Sequence, residues 1–149
     1  TTLTMKLATT LALLATALAV TGCNTLIGVD NPDQREASFS NATGTLVTRY
    51  NTADLDSVFN AVKRAIDSQA DMKRMGETPE PENATGNDLL GVVVIARAIG
   101  DLEVKVEILK AEDPISKQAF VSVSVKYGFF GNLPQSQKLV SIISQNLRR

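Results

Sequence analysis

Histidine and tryptophan are absent from this 149-residue chain, and cysteine occurs once. Without histidine the chain lacks the commonest general base and the commonest metal ligand. A single cysteine allows neither an intrachain disulfide nor a cysteine-rich zinc site. Aromatic residues make up only 5 %, too few for the stacking platforms that bind sugars or bases. Charge of one sign is also missing: 15 basic residues stand against 16 acidic ones, a formal net charge of −1. No basic stripe is present, so the long-range attraction that nucleic-acid or anionic-membrane binding relies on is missing, and no nucleic acid is expected as a partner. What remains is a chain with 44 % hydrophobic residues, enough to build one core.

The first apolar run is not part of that core. Read from Met5, Lys6 supplies a positive charge, and Leu7 to Val20 is uncharged and largely apolar. The small residues Thr21 and Gly22 then precede Cys23. Charge, apolar run and small-residue cleavage site, in that order, make a secretory signal over residues 1–22. A membrane span needs about 20 apolar residues, whereas this run is shorter and is interrupted by Thr9, Thr10 and Thr16. Thr1 to Thr4 contribute no recognisable feature.

Val20-Thr21-Gly22-Cys23 resembles the lipobox of bacterial lipoproteins. The resemblance implies cleavage before Cys23, a diacylglycerol thioether on its sulfur and acylation of the new amine. Several chains on one residue anchor firmly where one chain is marginal. The protein is then expected on the periplasmic face of the cell envelope. Asn24 stands where aspartate often directs inner-membrane retention, which favours the outer membrane.

Residues 24–41 are polar and contain Gly28 and Pro32. With the lipidated cysteine they read as a flexible tether over 23–41, spanning about 20 Å. A single α+β domain is expected over 42–149. Thr43 to Tyr50 reads as a strand with Leu46, Thr48 and Tyr50 on one face. A helix follows from about Ala53 to Ala70, capped by Asn51 or Thr52, with Leu55, Val58, Phe59, Val62, Ala65 and Ile66 forming its apolar stripe. Met72 to Asp88 carries Pro79, Pro81 and three glutamates. It reads as a solvated acidic loop, with at most a short edge strand at its start.

Three strands come next. Leu89 to Ala98 is almost continuously apolar. In Leu102 to Leu109 and Phe120 to Tyr127 apolar residues alternate with polar ones. A final helix runs from about Pro134 to Leu147, with Asn132 or Leu133 at its cap and Leu139, Val140, Ile143 and Leu147 as its stripe. The expected order is β-α-β-β-β-α: an antiparallel sheet of four, or five, strands with two helices on one face.

The segment YNTADLDSVFNAVKRAI from Tyr50, the strand triplet and the ending VSVSVKYGFFGNLPQSQKLVSII resemble a family of short bacterial lipoproteins, domain of unknown function 3568. The likeness rests on Tyr50, on Gly128, Phe130, Gly131 and Ser136, and on the lipobox, and covers about Thr45 to Leu147. It departs at Asn132, where an acidic residue is expected, and in the longer Pro/Glu loop. It implies an envelope lipoprotein of this fold and brings no catalytic residue or cofactor.

Residue by residue, the chemistry is sparse. Glu103 and Glu107 flank Lys105 on the polar face of one strand, the pattern of a solubilising surface. Ser122 and Ser124 have no histidine to activate them. Gly128 to Gly131 lacks the Gly-Lys-Ser/Thr of a phosphate loop, and its glycines suit a sharp corner. Asn41 and Asn83 begin glycosylation sequons of a kind that arises by chance. No catalytic residue, metal ligand or cofactor is expected. Phe129 and Phe130 form the candidate contact surface, although packing of both rings into the core is the favoured expectation. The functional expectation is a non-enzymatic envelope lipoprotein contacting another envelope protein. The alternative is a carrier of lipid or a small hydrophobic ligand in a slot between helices and sheet.

Overall fold

Alternation of valine with serine, lysine or glutamate runs through the middle of the chain and produces a sheet with one greasy and one wet face. The computed structural model describes residues 24–148. Seven strands form one antiparallel sheet: β1 (Asn24–Gly28), β2 (Glu36–Ser40), β3 (Thr45–Tyr50), β4 (Met72–Glu80), β5 (Gly91–Ala98), β6 (Leu102–Glu112) and β7 (Ala119–Tyr127). Their spatial order is β1-β2-β3-β7-β6-β5-β4. Two helices, α1 (Leu55–Asp67) and α2 (Leu133–Leu147), follow β3 and β7. The α+β class and the antiparallel sheet agree with the sequence reading. The strand count of four or five does not, because β1, β2 and the full length of β4 were not expected.

Residues 24–41 are therefore not a tether: Asn24 pairs with Ser40, and Ser40 pairs with Thr45. Ala37 and Phe39 turn inward, and Ala37 is fully buried. The polar residues that suggest a linker complete the sheet in another way. The ladder between β2 and β3 stops at Val47. Beyond it, Asn31 Nδ2 donates to Thr48 Oγ1 at 2.9 Å and to the Arg49 carbonyl at 2.8 Å. The Arg49 amide donates to Gln34 Oε1 at 2.8 Å. Side chains replace a missing strand, satisfying backbone groups that would otherwise go unpaired. Domain structure thus begins at Asn24, not near residue 42. The proposed signal over 1–22 and Cys23 lie outside the described residues.

Met72–Glu80 forms a nine-residue edge strand where a loop was expected. Its polar residues face water because no strand lies beyond it, and its bulge between Arg74 and Gly76 suits an edge. Pro79 is tolerated there because an edge position needs no outward amide.

One row of the inner face runs Leu46, Val125, Val106, Val94 across four strands, and the next runs Thr48, Val123, Ile108, Val92. The buried stripes of both helices cover these rows: Val58, Ala61, Val62, Ala65 and Ile66 from α1, with Leu139, Val140 and Ile143 from α2. The cap of α1 is Asp54, which accepts from the Ser57 amide at 2.8 Å. Asn51 and Thr52, the expected caps, instead donate their amides to Asp33 Oδ2. Asn132 caps α2 and Pro134 sits in its first turn, as read from sequence. Tyr50 of β3 reaches α2, where its hydroxyl shares a 2.8 Å hydrogen bond with Ser144.

Among the described residues no helix is long and apolar enough to cross a membrane. No three His, Cys, Asp or Glu side chains among them gather closely enough to hold a metal ion.

Candidate functional site

β7 ends at Tyr127, and Gly128 then takes a φ of +65°, a left-handed conformation that glycine adopts without strain. The chain turns through Phe129 and Phe130 before Gly131 (φ +79°) directs it into α2. Gly131 lies backbone to backbone against Gly44 (φ +71°) in the β2–β3 turn. A Cβ on Gly44 would run into the Phe130 carbonyl, and one on Gly131 into the Gly44 carbonyl. This double-glycine contact presses the turn against its neighbour. Phe129 and Phe130 are 82 % and 86 % exposed, which corrects the expectation that both pack into the core. Their rings meet edge to face, 5.0 Å apart and at 87°, a favoured aromatic geometry.

Basic side chains border the turn. Lys126 Nζ lies 5.6 Å from the Phe129 ring centre, within cation–π range. Lys105 stands directly across the β6–β7 ladder from Lys126, and Arg97 across β5–β6 from Glu103. Two lysines opposite each other repel. With Arg97, Asp101, Leu102, Glu103 and Phe129 they line an open recess of about 590 Å³. Its charge is mixed, because Asp101 pairs with Arg97 at 3.8 Å.

Two apolar residues that sequence reading did not assign to this place lie at the same end of the sheet. Ile99, in the β5–β6 turn, is 78 % exposed, and Leu102, at the start of β6, is 38 % exposed. Leu102 reads as the first inward member of its strand's alternation, but the strand begins beyond the helices' cover. A lone Ile99 before Gly100-Asp101 gives no signal in sequence.

The other residues weighed for chemistry fall on the helix-free face. Ser124 faces Glu107 across the ladder, and Ser122 stands between Leu109 and Arg49. Glu103 and Lys105 are exposed and Glu107 is half-buried, so the expected Glu-Lys-Glu surface is found. Arg49 stacks over Phe120, 5.1 Å from the ring centre, and pairs with Asp113 at 3.5 Å. The carboxyl of Asp113 is held below the usual carboxylate range mainly by the Ser116 and Ile115 amides.

A second recess, about 410 Å³, opens at the opposite end beside Asp33, Tyr50, Asp54, Ser144 and Arg148. Its polar groups are already employed: Asp33 and Asp54 hold backbone amides, Tyr50 binds Ser144, and Arg148 binds Asp30 at 2.7 Å. A third, of about 270 Å³, is mostly apolar and lies between α1 and the β4–β5 connection, beside Leu55, Phe59, Pro79 and Leu89.

No family model and no curated protein matches this chain.

Proposed function

We propose that this chain is a bacterial lipoprotein, anchored through Cys23 to the periplasmic side of the envelope, that works through protein contacts rather than catalysis. The lipobox-like sequence and the resemblance to short envelope lipoproteins support the address, with the outer membrane favoured over the inner. One observation carries the mode of action. The seven-stranded sheet has helices on one face only, and its other face offers half-buried Val47, Val93, Ile95, Leu109 and Phe120 set among serines, lysines and Glu107. Mixed apolar and polar ground of this kind is typical of protein interfaces.

The filled interior supports this reading over that of a ligand carrier. A carrier needs a slot of several hundred Å³ between its layers. Here Leu46, Ile66, Val106, Val123, Leu139 and Ile143 meet there with no exposed surface, and the apolar recess beside α1 is about 270 Å³.

The test is photo-crosslinking in cells. A photoreactive residue in place of Val93, on the open face, is expected to give one reproducible adduct. The same residue in place of Lys138, exposed on α2, is expected to give none. Absence of an adduct from the Val93 position, or identical products from both, would contradict the proposal.

A further inference from the structure

We propose that the end of the sheet bearing Ile99, Leu102, Phe129 and Phe130 rests on the bilayer itself, with these four side chains in the lipid interface. The inference deepens the lipoprotein reading above and rests on it.

Strand directions supply the argument. β1 starts at Asn24, β2 ends at Ser40, β3 starts at Thr45, β7 ends at Tyr127, β6 starts at Leu102 and β5 ends at Ala98. The pairings Asn24–Ser40, Ser40–Thr45, Leu46–Val125, Val104–Tyr127 and Ala98–Leu102 put all six at one end of the sheet. Cys23 is joined to Asn24, and adjacent Cα atoms are about 3.8 Å apart. The chain outside the described residues therefore arrives at this end. Between β1 and β7 lie three inter-strand spacings, about 14 Å. An acylated Cys23 would bring the bilayer against the double-glycine turn that displays the two phenylalanines.

Surface chemistry divides the same way. Of the eight exposed large hydrophobic residues among those described, Ile99, Leu102, Phe129 and Phe130 cluster here, Leu26 and Met75 lie within the edge strands β1 and β4, and Leu90 and Ile115 stand at the far end. Monomeric surfaces seldom gather apolar residues without a partner for them. Arg97, Lys105 and Lys126 border the cluster, where long basic side chains can reach headgroup phosphates. Asp71, Asp101 and Glu103 sit nearby, so attraction to anionic lipid is modest and apolar insertion dominates. The far end mixes acids such as Asp54, Glu82 and Glu112 with Arg49, Lys110, Lys117 and Arg148, so charge does not favour either end. Anchor and exposed apolar side chains set the same end down.

The natural absence of tryptophan makes the test direct. The full chain, made in a bacterium with its own leader, carries F130W, I99W or I115W. It is reconstituted into phosphatidylethanolamine–phosphatidylglycerol vesicles with brominated acyl chains. Residues seated about 5–10 Å into the interface should lose about half their emission or more, as expected for F130W and I99W. I115W, at a site 93 % exposed at the far end, should be almost unaffected. Mass spectrometry of the same preparation separates the two possible failures. Lipidated chains in which F130W is quenched no more than I115W would overturn the docking and leave the anchor standing. An unmodified Cys23 would overturn the anchor and this inference together. Shielding of F130W from an aqueous quencher without quenching by bromine would mean that a second copy, or the chain's own residues 1–23, covers this end; that too would overturn it.

Discussion

Replacing Gly44 with alanine will lower the stability of the fold by roughly 2–5 kcal/mol. The left-handed conformation costs a residue with a Cβ about 1–2 kcal/mol, and Gly44 has a φ of +71°. The larger contribution is steric. The new methyl would meet the Phe130 carbonyl and the Gly131 amide, backbone atoms that cannot rotate aside. Forcing an extra methyl into a packed site adds about 1–3 kcal/mol. Gly28→Ala is the control, because a Cβ there meets nothing within 4 Å. Thermal unfolding followed by circular dichroism should show a drop of about 10 °C for Gly44→Ala and little change for Gly28→Ala. Equal melting temperatures for the two variants would mean that the double-glycine contact does not hold the Phe129–Phe130 turn in place.

Alkaline pH will destabilise the protein through its two buried tyrosines. Burial pushes the Tyr50 hydroxyl up to about 12, against the opposing hydrogen bond from Ser144, and burial likewise takes Tyr127 to about 12. Unfolded tyrosine ionises near pH 10. Below that value both states keep the proton, and stability is complete. Between pH 10 and 12 the unfolded chain loses the proton while the folded chain retains it, so stability falls as pH rises. At about 1.36 kcal/mol per pH unit, Tyr50 alone accounts for roughly 2–3 kcal/mol by pH 12. Tyr50→Phe isolates its share. At pH 7 the variant should be less stable by about 1 kcal/mol, because Ser144 loses its partner. Near pH 12 the order should reverse, with the variant the more stable. Urea unfolding curves for both proteins at the two pH values check this, and parallel pH dependences would contradict it.

How far the fold is legible in the sequence depends on whether a residue's fate is decided locally. β3, β6 and β7 alternate cleanly because each has one face on the helices and one in water, and both helices show their stripes for the same reason. β1 and β2 are hidden because half of what holds them is polar. Asn31 and Gln34 look like linker residues until Thr48 and Arg49 are placed beside them. β4 is hidden because an edge strand with no neighbour beyond it has little need of apolar residues. The helix starts two residues later than Ala53, at Leu55, since the amides of Asn51 and Thr52 answer to Asp33, 18 and 19 residues earlier in the chain.

The candidate site is legible in part. Two phenylalanines between glycines stand out in any reading, but their direction does not. It is set by contact with Gly44, which is distant in sequence and adjacent in space. Ile99 and Leu102 join them only once the strand order is known. The alternating charges Glu103, Lys105 and Glu107 were readable as a surface. That Lys105 faces Lys126 was not, because the pairing depends on the register between β6 and β7.

The proposed address depends on Cys23, and the mass of the protein recovered from bacterial membranes tests it most directly. The account predicts a chain that begins at Cys23, lacks residues 1–22 and is heavier than its sequence by acyl groups on that residue. A free thiol at position 23, with the leader still attached, would contradict it.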